Sequence, residues 1–140
     1  MSFALNRMRN FIGIYNYKNG GKMKFRFQDL QIWQYAIELS DNLLDIADFL
    51  EKKKLYRFAE QLRAASMSMS NNIAEGSGSS SNKDFNNFLN YARRSTFENA
   101  NILIILNRRK LISEERMNKL LERLDIECRM ITNFKKALCS

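Results

Sequence analysis

The chain has 140 residues, of which 45% are apolar and 27% are charged, a composition typical of one globular domain with its own core. It contains no histidine, so it lacks the commonest metal ligand and the commonest general base. The two cysteines, Cys128 and Cys139, have no metal-binding spacing and are expected to be reduced thiols. We therefore expect no catalytic site, no metal site and no cofactor.

The formal net charge of +8 is unevenly divided along the chain. Residues 1–22 contain four basic residues and no acidic residue, a charge of +4, whereas residues 23–140 contain 19 basic and 15 acidic residues, also +4. Two glycines separate the two parts, and the apolar residues of the first part keep no long period. We predict a basic, flexible N-terminal extension over residues 1–22 and one domain over residues 23–140.

Membrane and secretion signals are lacking in this sequence. No stretch approaches the roughly 20 continuous apolar residues that span a bilayer, and the N-terminus has no sustained apolar segment followed by a cleavage site. We expect a cytoplasmic protein with no membrane contact.

From about residue 29 onward, apolar residues recur at intervals of three and four, and the chain contains no proline, the strongest helix breaker. A first helix is predicted to begin at Asp29 as N-cap and to end near lysines 52–54. A second is predicted to end after Ile73. Their apolar stripes are Leu30, Trp33, Ala36, Ile37, Ser40, Leu43, Leu44, Ala47 and Leu50, followed by Leu55, Phe58, Ala59, Leu62, Ala65, Ser66, Met69 and Ile73.

Two more helices are predicted to begin at hydroxyl residues. Ser81 is followed three positions later by Asp84, as in a capping box, and Ser113 is followed by two glutamates that suit the positive end of a helix dipole. Their stripes are Phe85, Phe88, Leu89, Ala92, Ser95, Thr96, Asn99, Ile102, Leu103 and Leu106, and then Met117, Leu120, Leu121, Leu124, Cys128, Ile131, Phe134 and Leu138.

The outer face of the fourth helix is expected to be charged. Glu115 with Lys119 and Arg123 with Glu127 stand four residues apart, which predicts two solvated ion pairs. Four helices joined by short links favour antiparallel neighbours. The predicted fold is therefore all-α, an antiparallel up-down-up-down four-helix bundle.

The stretch SNNIAEGSGSSS, residues 70–81, contains two glycines that invite comparison with a phosphate-binding loop. It lacks the lysine and hydroxyl at the required offsets and the preceding strand. Instead, Gly76 follows the last apolar residues of the second helix, where a left-handed C-cap would end it. We interpret this stretch as the end of one helix and the start of the next.

Ser68, Asn72 and Glu75 lie on one helical face at spacings of four and three. One interpretation is a set of local hydrogen bonds near a helix end. The other is a buried or interfacial polar cluster that fixes how helices or subunits dock, because such groups need partners once water is removed.

Three segments carry a family resemblance: residues 27–39 (FQDLQIWQYAIEL), the stretch from QLRAAS into NNIAEGSG over residues 61–78, and residues 83–98 (KDFNNFLNYARRSTFE). Together they resemble the four helix bundle protein family, whose members are also known as ribosomal RNA intervening-sequence proteins. The resemblance covers residues 25 to about 138.

The resemblance implies an up-and-down helical bundle that assembles as a homopentamer and has no known catalytic activity. The positions that match the family motif are expected to have structural or interface roles: Ser68, Asn72, Glu75, Gly76, Ser95 and Glu98. Arg94 departs from the pattern, because relatives usually have glycine there.

Exposed basic residues suggest contact with RNA or DNA, since phosphate neutralisation supplies most of such affinity. The candidate nucleic-acid-binding residues are Lys83, Arg93, Arg94, Arg108, Arg109 and Lys110. A second explanation for the last three is that they suit the negative end of a helix dipole.

Two other functions are weighed against nucleic-acid binding. Phe49, Phe97 and Ile104 lie beside the main stripes, which suits a self-assembling scaffold that binds no nucleic acid. An enzyme is the weakest alternative: Glu75 and Glu98 would have to form a carboxylate pair, without the histidine that metal-binding bundles use.

Overall fold

The computed structural model describes residues 17–19 and 22–139, and for residues 17–19 and 22 it describes the backbone alone. Most of the predicted flexible extension, residues 1–22, therefore lies outside the described residues. Strands β1 (Tyr17–Asn19) and β2 (Lys22–Lys24) form an antiparallel hairpin in which Lys18 faces Met23. This short hairpin was not predicted.

The rest of the described chain is helical. A short 3-10 helix, Arg26–Asp29, precedes four long helices: α1 (Gln31–Lys52), α2 (Tyr56–Ser77), α3 (Asn82–Arg108) and α4 (Glu114–Cys139). The helices pack around one apolar core, so the predicted all-α four-helix bundle is confirmed. None of the helices in the described part of the chain is long and apolar enough to cross a bilayer.

Contacts between successive helices pair residues toward the end of one helix with residues toward the start of the other, or positions near the middle of both. Between α1 and α2, the Ser40 hydroxyl donates to the Ser66 carbonyl, while Arg63 donates to Asp48 and Glu51 near the end of α1. Between α3 and α4, Asn82 donates to the Leu138 carbonyl. These pairings are those expected of antiparallel neighbours.

The seam between α2 and α3 is formed by small and polar residues. Asn99 is fully buried on α3, and its side-chain amide donates to the carbonyls of Ala65 on α2 and Ser95 on its own helix, both at 2.8 Å. Alanines, serines and Gly76 on the buried face of α2 let the two helices approach closely.

Two of the three predicted N-caps are confirmed. The Ser81 hydroxyl accepts a bond from the amide of Asp84 at 3.1 Å, and the Ser113 hydroxyl accepts one from the amide of Arg116 at the same distance. The third prediction is wrong: Leu30 is the N-cap of α1, because the 3-10 turn carries Asp29 away from the helix start and its carboxylate binds Lys24.

The outer face of α4 was predicted correctly for one ion pair and wrongly for the other. Lys119 donates to Glu115 at 3.1 Å, as expected. Glu127 is instead fully buried, on the same face of α4 as Leu124 and Ile131, and Arg123 lies over the Tyr35 ring. Neither carboxyl oxygen of Glu127 has a hydrogen-bond partner among the described residues. Desolvation by burial raises the pKa of this carboxyl to about 8.

Helices α1 and α3 end with the same backbone motif. Lys54 (φ 63°) and Lys110 (φ 59°) occupy the left-handed region, and the next amide, that of Leu55 or Leu111, donates at 2.9 Å to the carbonyl five residues earlier. This is the hydrogen-bond pattern of a Schellman motif, in which glycine usually occupies the left-handed position.

Replacing Lys54 with glycine should raise the free energy of unfolding by about 0.5–1 kcal/mol, because glycine removes the clash of Cβ with its own backbone at positive φ. The neighbouring Lys53 has a φ of −84° and is the matched control. Lys53→Gly should not stabilise the protein. Chemical denaturation of the two variants compares them directly, and equal effects would contradict this explanation.

Candidate functional site

A polar groove of about 390 Å³ runs between α2 and α3. It is lined by Ser68 and Asn72 of α2 and by Tyr91, Arg94, Ser95 and Glu98 of α3. Four of the six residues assigned to a structural or interface role, Ser68, Asn72, Ser95 and Glu98, therefore meet at one place. Tyr91 was not singled out in the sequence; its spacing of four from Ser95 is the signal that would have included it.

The floor of the groove is a chain of hydrogen bonds. The Asn72 side-chain amide donates to the Ser68 hydroxyl at 3.0 Å and to the Ser68 carbonyl at 2.8 Å. The hydroxyls of Ser68 and Ser95 are 2.8 Å apart, and Ser95 donates its own proton to the Tyr91 carbonyl at 3.0 Å. Ser68 must therefore donate to Ser95, since each hydroxyl has one proton.

This arrangement fixes which hydrogen-bonding groups the groove offers. Because the amide and both hydroxyls use their protons within the floor, that floor presents acceptor lone pairs to a partner. Glu98 and the exposed Arg94 add one charge of each sign. Arg94 lines the groove and is exposed, and α2 and α3 still meet at the Ser68–Ser95 contact.

Glu75 and Gly76 lie outside the groove. Glu75 is exposed and does not line the groove, so the structure does not bring it together with Glu98 there. Within residues 23–139, no cluster of three or more acidic or cysteine side chains is arranged to hold a metal.

The interpretation of Gly76 as a left-handed C-cap is wrong. Helix α2 continues through Ser77, and Gly76 is a buried position inside it. A Cβ atom added to Gly76 would lie 2.7 Å from the Cδ2 of Phe85 and 2.7 Å from the Cβ of Phe88. The physical need for glycine is therefore the close approach of α3, and the turn itself begins at Gly78.

The predicted basic residues fall into separate places. Lys83 lies exposed at the start of α3, and Arg94 lines the groove. Arg93 is half-buried, and its guanidinium group makes contacts within the bundle. Its Nε donates to the Thr132 hydroxyl at 3.2 Å, and the guanidinium lies 5.4 Å from the centre of the Phe97 ring. Arg108, Arg109 and Lys110 are all exposed at the far end of α3.

An apolar furrow between α3 and α4 is a second candidate contact surface. Its walls include Phe97 and Ala100 of α3 and Leu121 and Cys128 of α4, and its volume is about 160 Å³. Phe97 is 59% exposed, and Ile104, two turns further along α3, is 44% exposed. Phe49, the third apolar residue predicted to lie off the core, is 39% exposed on α1.

The fold and these surfaces define a class of protein: a small all-α four-helix bundle with polar and apolar grooves on its outer faces. The family model of the 23S rRNA-intervening sequence proteins matches residues 28–133. The chain belongs to this family, which confirms the resemblance found in the sequence.

A solved structure shares the fold. The crystal structure of a protein of unknown function from the S23 ribosomal protein family of Bacteroides thetaiotaomicron superposes with a TM-score of 0.71. The two chains are 22% identical over 75% of this chain and 98% of the other. No curated protein matches the chain.

Proposed function

We propose that this protein is a non-catalytic module that assembles with copies of itself, five by family resemblance, and contacts nucleic acid through exposed basic residues. The observation that carries the proposal is the exposure of Phe97 and Ile104 on one face of α3, beside the apolar furrow. Large apolar side chains exposed two turns apart on one outer face, beside an apolar furrow, form a patch of the kind that marks an interaction surface.

The expected energetic gain on assembly is substantial. Fully burying a large apolar side chain contributes roughly 1.5–3 kcal/mol relative to leaving it exposed, so burying the two exposed portions contributes a sizeable share of a subunit interface. The polar groove suits the same role, because interfaces combine an apolar centre with polar groups that fix orientation. Glu98 and Arg94 supply such groups on the neighbouring face of α3.

Replacing both Phe97 and Ile104 with aspartate should convert the assembly into monomers, because two carboxylates would have to be desolvated at the interface. Size-exclusion chromatography with light scattering at micromolar concentrations measures the mass directly. Met67→Asp is the matched control, since Met67 is 49% exposed on α2 and does not line the furrow. A wild-type mass of about 16.5 kDa would refute self-assembly.

Nucleic-acid contact is supported by the exposure of Arg108, Arg109 and Lys110. A scaffold that binds no nucleic acid is the second candidate, and it is favoured by Arg93, whose guanidinium is occupied within the bundle by Thr132 and Phe97. The two are separated by binding measurements on RNA at low and high salt, because phosphate contacts weaken steeply as salt rises. If the protein binds no RNA at low salt, nucleic-acid contact is excluded and the scaffold is the function that stands.

A further inference from the structure

We propose that one end of the bundle is a binding surface for single-stranded nucleic acid. This surface, the basic end, consists of residues 49–60, where α1 turns into α2, and residues 105–119, where α3 turns into α4. The inference rests on the nucleic-acid part of the proposed function and gives it a location. It adds Lys52, Lys53, Lys54 and Arg57 to the basic residues at the end of α3, and all four are exposed.

The contacts between α2 and α3 bring the two turns to the same level. Asn99 of α3 bonds to Ala65 of α2. Nine residues back from Ala65 lies Tyr56, the first residue of α2, and nine residues forward from Asn99 lies Arg108, the last residue of α3. Because each helix advances 1.5 Å per residue, the two turns lie side by side, within about one helix diameter.

Charge is segregated along the axis of the bundle. The basic end holds nine basic and four acidic residues, a net charge of +5. The opposite end, residues 23–35, 72–89 and 130–139, holds five basic and three acidic residues, +2, and the middle holds five basic and eight acidic residues, −3. The excess of +4 in residues 23–140 thus arises from the two ends and is largest at the basic end.

Local interactions at the basic end occupy two of its nine basic residues, because Lys119 binds Glu115 and Lys53 lies over the Phe49 ring. Two of its four acidic residues are already paired, Glu51 with Arg63 and Glu115 with Lys119. Helices α1 and α3 end there and α2 and α4 begin there, so their dipoles offset one another and the side chains set the sign of the potential.

An aromatic ring lies among these charges. Tyr56 is 56% exposed at the start of α2, two residues after Lys54. Basic residues that neutralise phosphates, together with an exposed ring on which a base can stack, are what single-strand binding surfaces use. The ring gives no advantage with a duplex, whose bases are already stacked, and this favours a single strand as the partner.

Fluorescence anisotropy with a labelled 20-nucleotide single-stranded RNA at 50 mM salt tests the assignment. The double variants K52E/K53E and R108E/R109E should each bind at least tenfold more weakly, and Tyr56→Ala about fivefold or more. The matched control is K83E/K136E, which reverses two exposed charges at the opposite end and should bind within about twofold of the wild type. Thermal unfolding verifies that each variant is folded.

Each contrary result has a definite meaning. If the wild type binds RNA but the control loses as much affinity as the two end variants, the basic end is not the site, and the proposed nucleic-acid contact stands. If the wild type does not bind RNA at 50 mM salt, both the assignment to the basic end and the proposed nucleic-acid contact are refuted. If poly-glutamate binds as tightly as RNA, the partner is an acidic protein surface and the assignment to nucleic acid is overturned.

Discussion

Replacing Glu127 with leucine is expected to raise the free energy of unfolding at pH 7 by about 1–3 kcal/mol. The Glu127 carboxyl is fully buried and neither oxygen has a partner among the described residues, so its polar atoms lose water and gain nothing in return. Leucine fills a similar volume without a polar group. Glu127→Gln should also stabilise the protein at pH 7, because it removes the proton uptake, but by less than leucine, because its buried amide keeps unpaired polar atoms.

The same side chain should make the stability of the wild type depend on pH. Burial raises the pKa of Glu127 from 4.5 to about 8, so between these values the folded protein holds a proton that the unfolded chain has released. Stability is therefore highest below about pH 4.5 as far as this group is concerned, and it falls as pH rises, by up to about 1.4 kcal/mol per pH unit. Above about pH 8 both states are ionised and the decline from this group ends.

Urea denaturation of the wild type and of both Glu127 variants from pH 5 to pH 9 measures this effect. The decline between pH 5 and pH 8 should disappear in Glu127→Leu and in Glu127→Gln alike. Glu122→Gln, at an exposed position of the same helix, is the control and should keep the wild-type slope. A slope that persists in both Glu127 variants would show that other groups cause it.

Replacing Gly76 with alanine should lower the free energy of unfolding by about 1–3 kcal/mol, although alanine is the better helix former by about 1 kcal/mol. The added methyl group would overlap the Phe85 ring and the Cβ of Phe88, each at 2.7 Å. A ring can turn, but the Cβ of Phe88 moves only with its backbone, so α2 and α3 must separate. The overlap therefore outweighs the gain in helix propensity.

Gly78→Ala provides the comparison two residues away. Gly78 is exposed with a φ of −85°, and a Cβ there would make ordinary contact with the Glu75 carbonyl at 3.4 Å. This variant should be neutral or slightly stabilising, because alanine restricts the unfolded chain. Thermal and urea unfolding distinguish the two, and a Gly76→Ala protein as stable as Gly78→Ala would refute the close-packing role.

The periodicity of apolar residues was sufficient to predict the bundle. Nine of the ten stripe residues of α3 are buried, Phe88 being the exception, because polar members such as Ser95 and Asn99 kept the same spacing as the apolar ones. The stripe of α1 was predicted too narrowly. Ile32, Leu39 and Ile46 are also buried, because α1 packs against both α2 and α4 and buries a wider face.

The errors arose where residue type and helical position disagree. Glu127 lies three residues after Leu124 and four before Ile131, a core position by spacing, yet its charge and the nearby Arg123 suggested a solvated pair. Gly76 was assigned by its chemistry to a helix end, whereas the approach of Phe85 and Phe88 from the next helix requires it. Neither the burial of Glu127 nor the close approach of α3 to Gly76 can be inferred until the packing of the helices is known.

The sequence predicted most of the residues that line the polar groove, but it did not predict how they contact one another. Ser68 and Asn72 share a helical face by spacing alone, but Ser95 lies 27 residues from Ser68 and meets it only through the packing of α3 on α2. The direction of each proton in the groove follows from the Tyr91 carbonyl, a backbone group that carries no sequence signal.

The buried amide of Asn99 has a consequence for how uniquely the chain folds. A slide of one helix along the other by a turn would break the fit of Gly76 against Phe85 and Phe88 and the Ser68–Ser95 contact. Such a slide would also carry the Asn99 amide away from the Ala65 carbonyl and leave it only the Ser95 carbonyl of its own helix, so one buried N–H group would lose its partner. The buried amide thus joins the contacts that select a single axial alignment of α2 and α3.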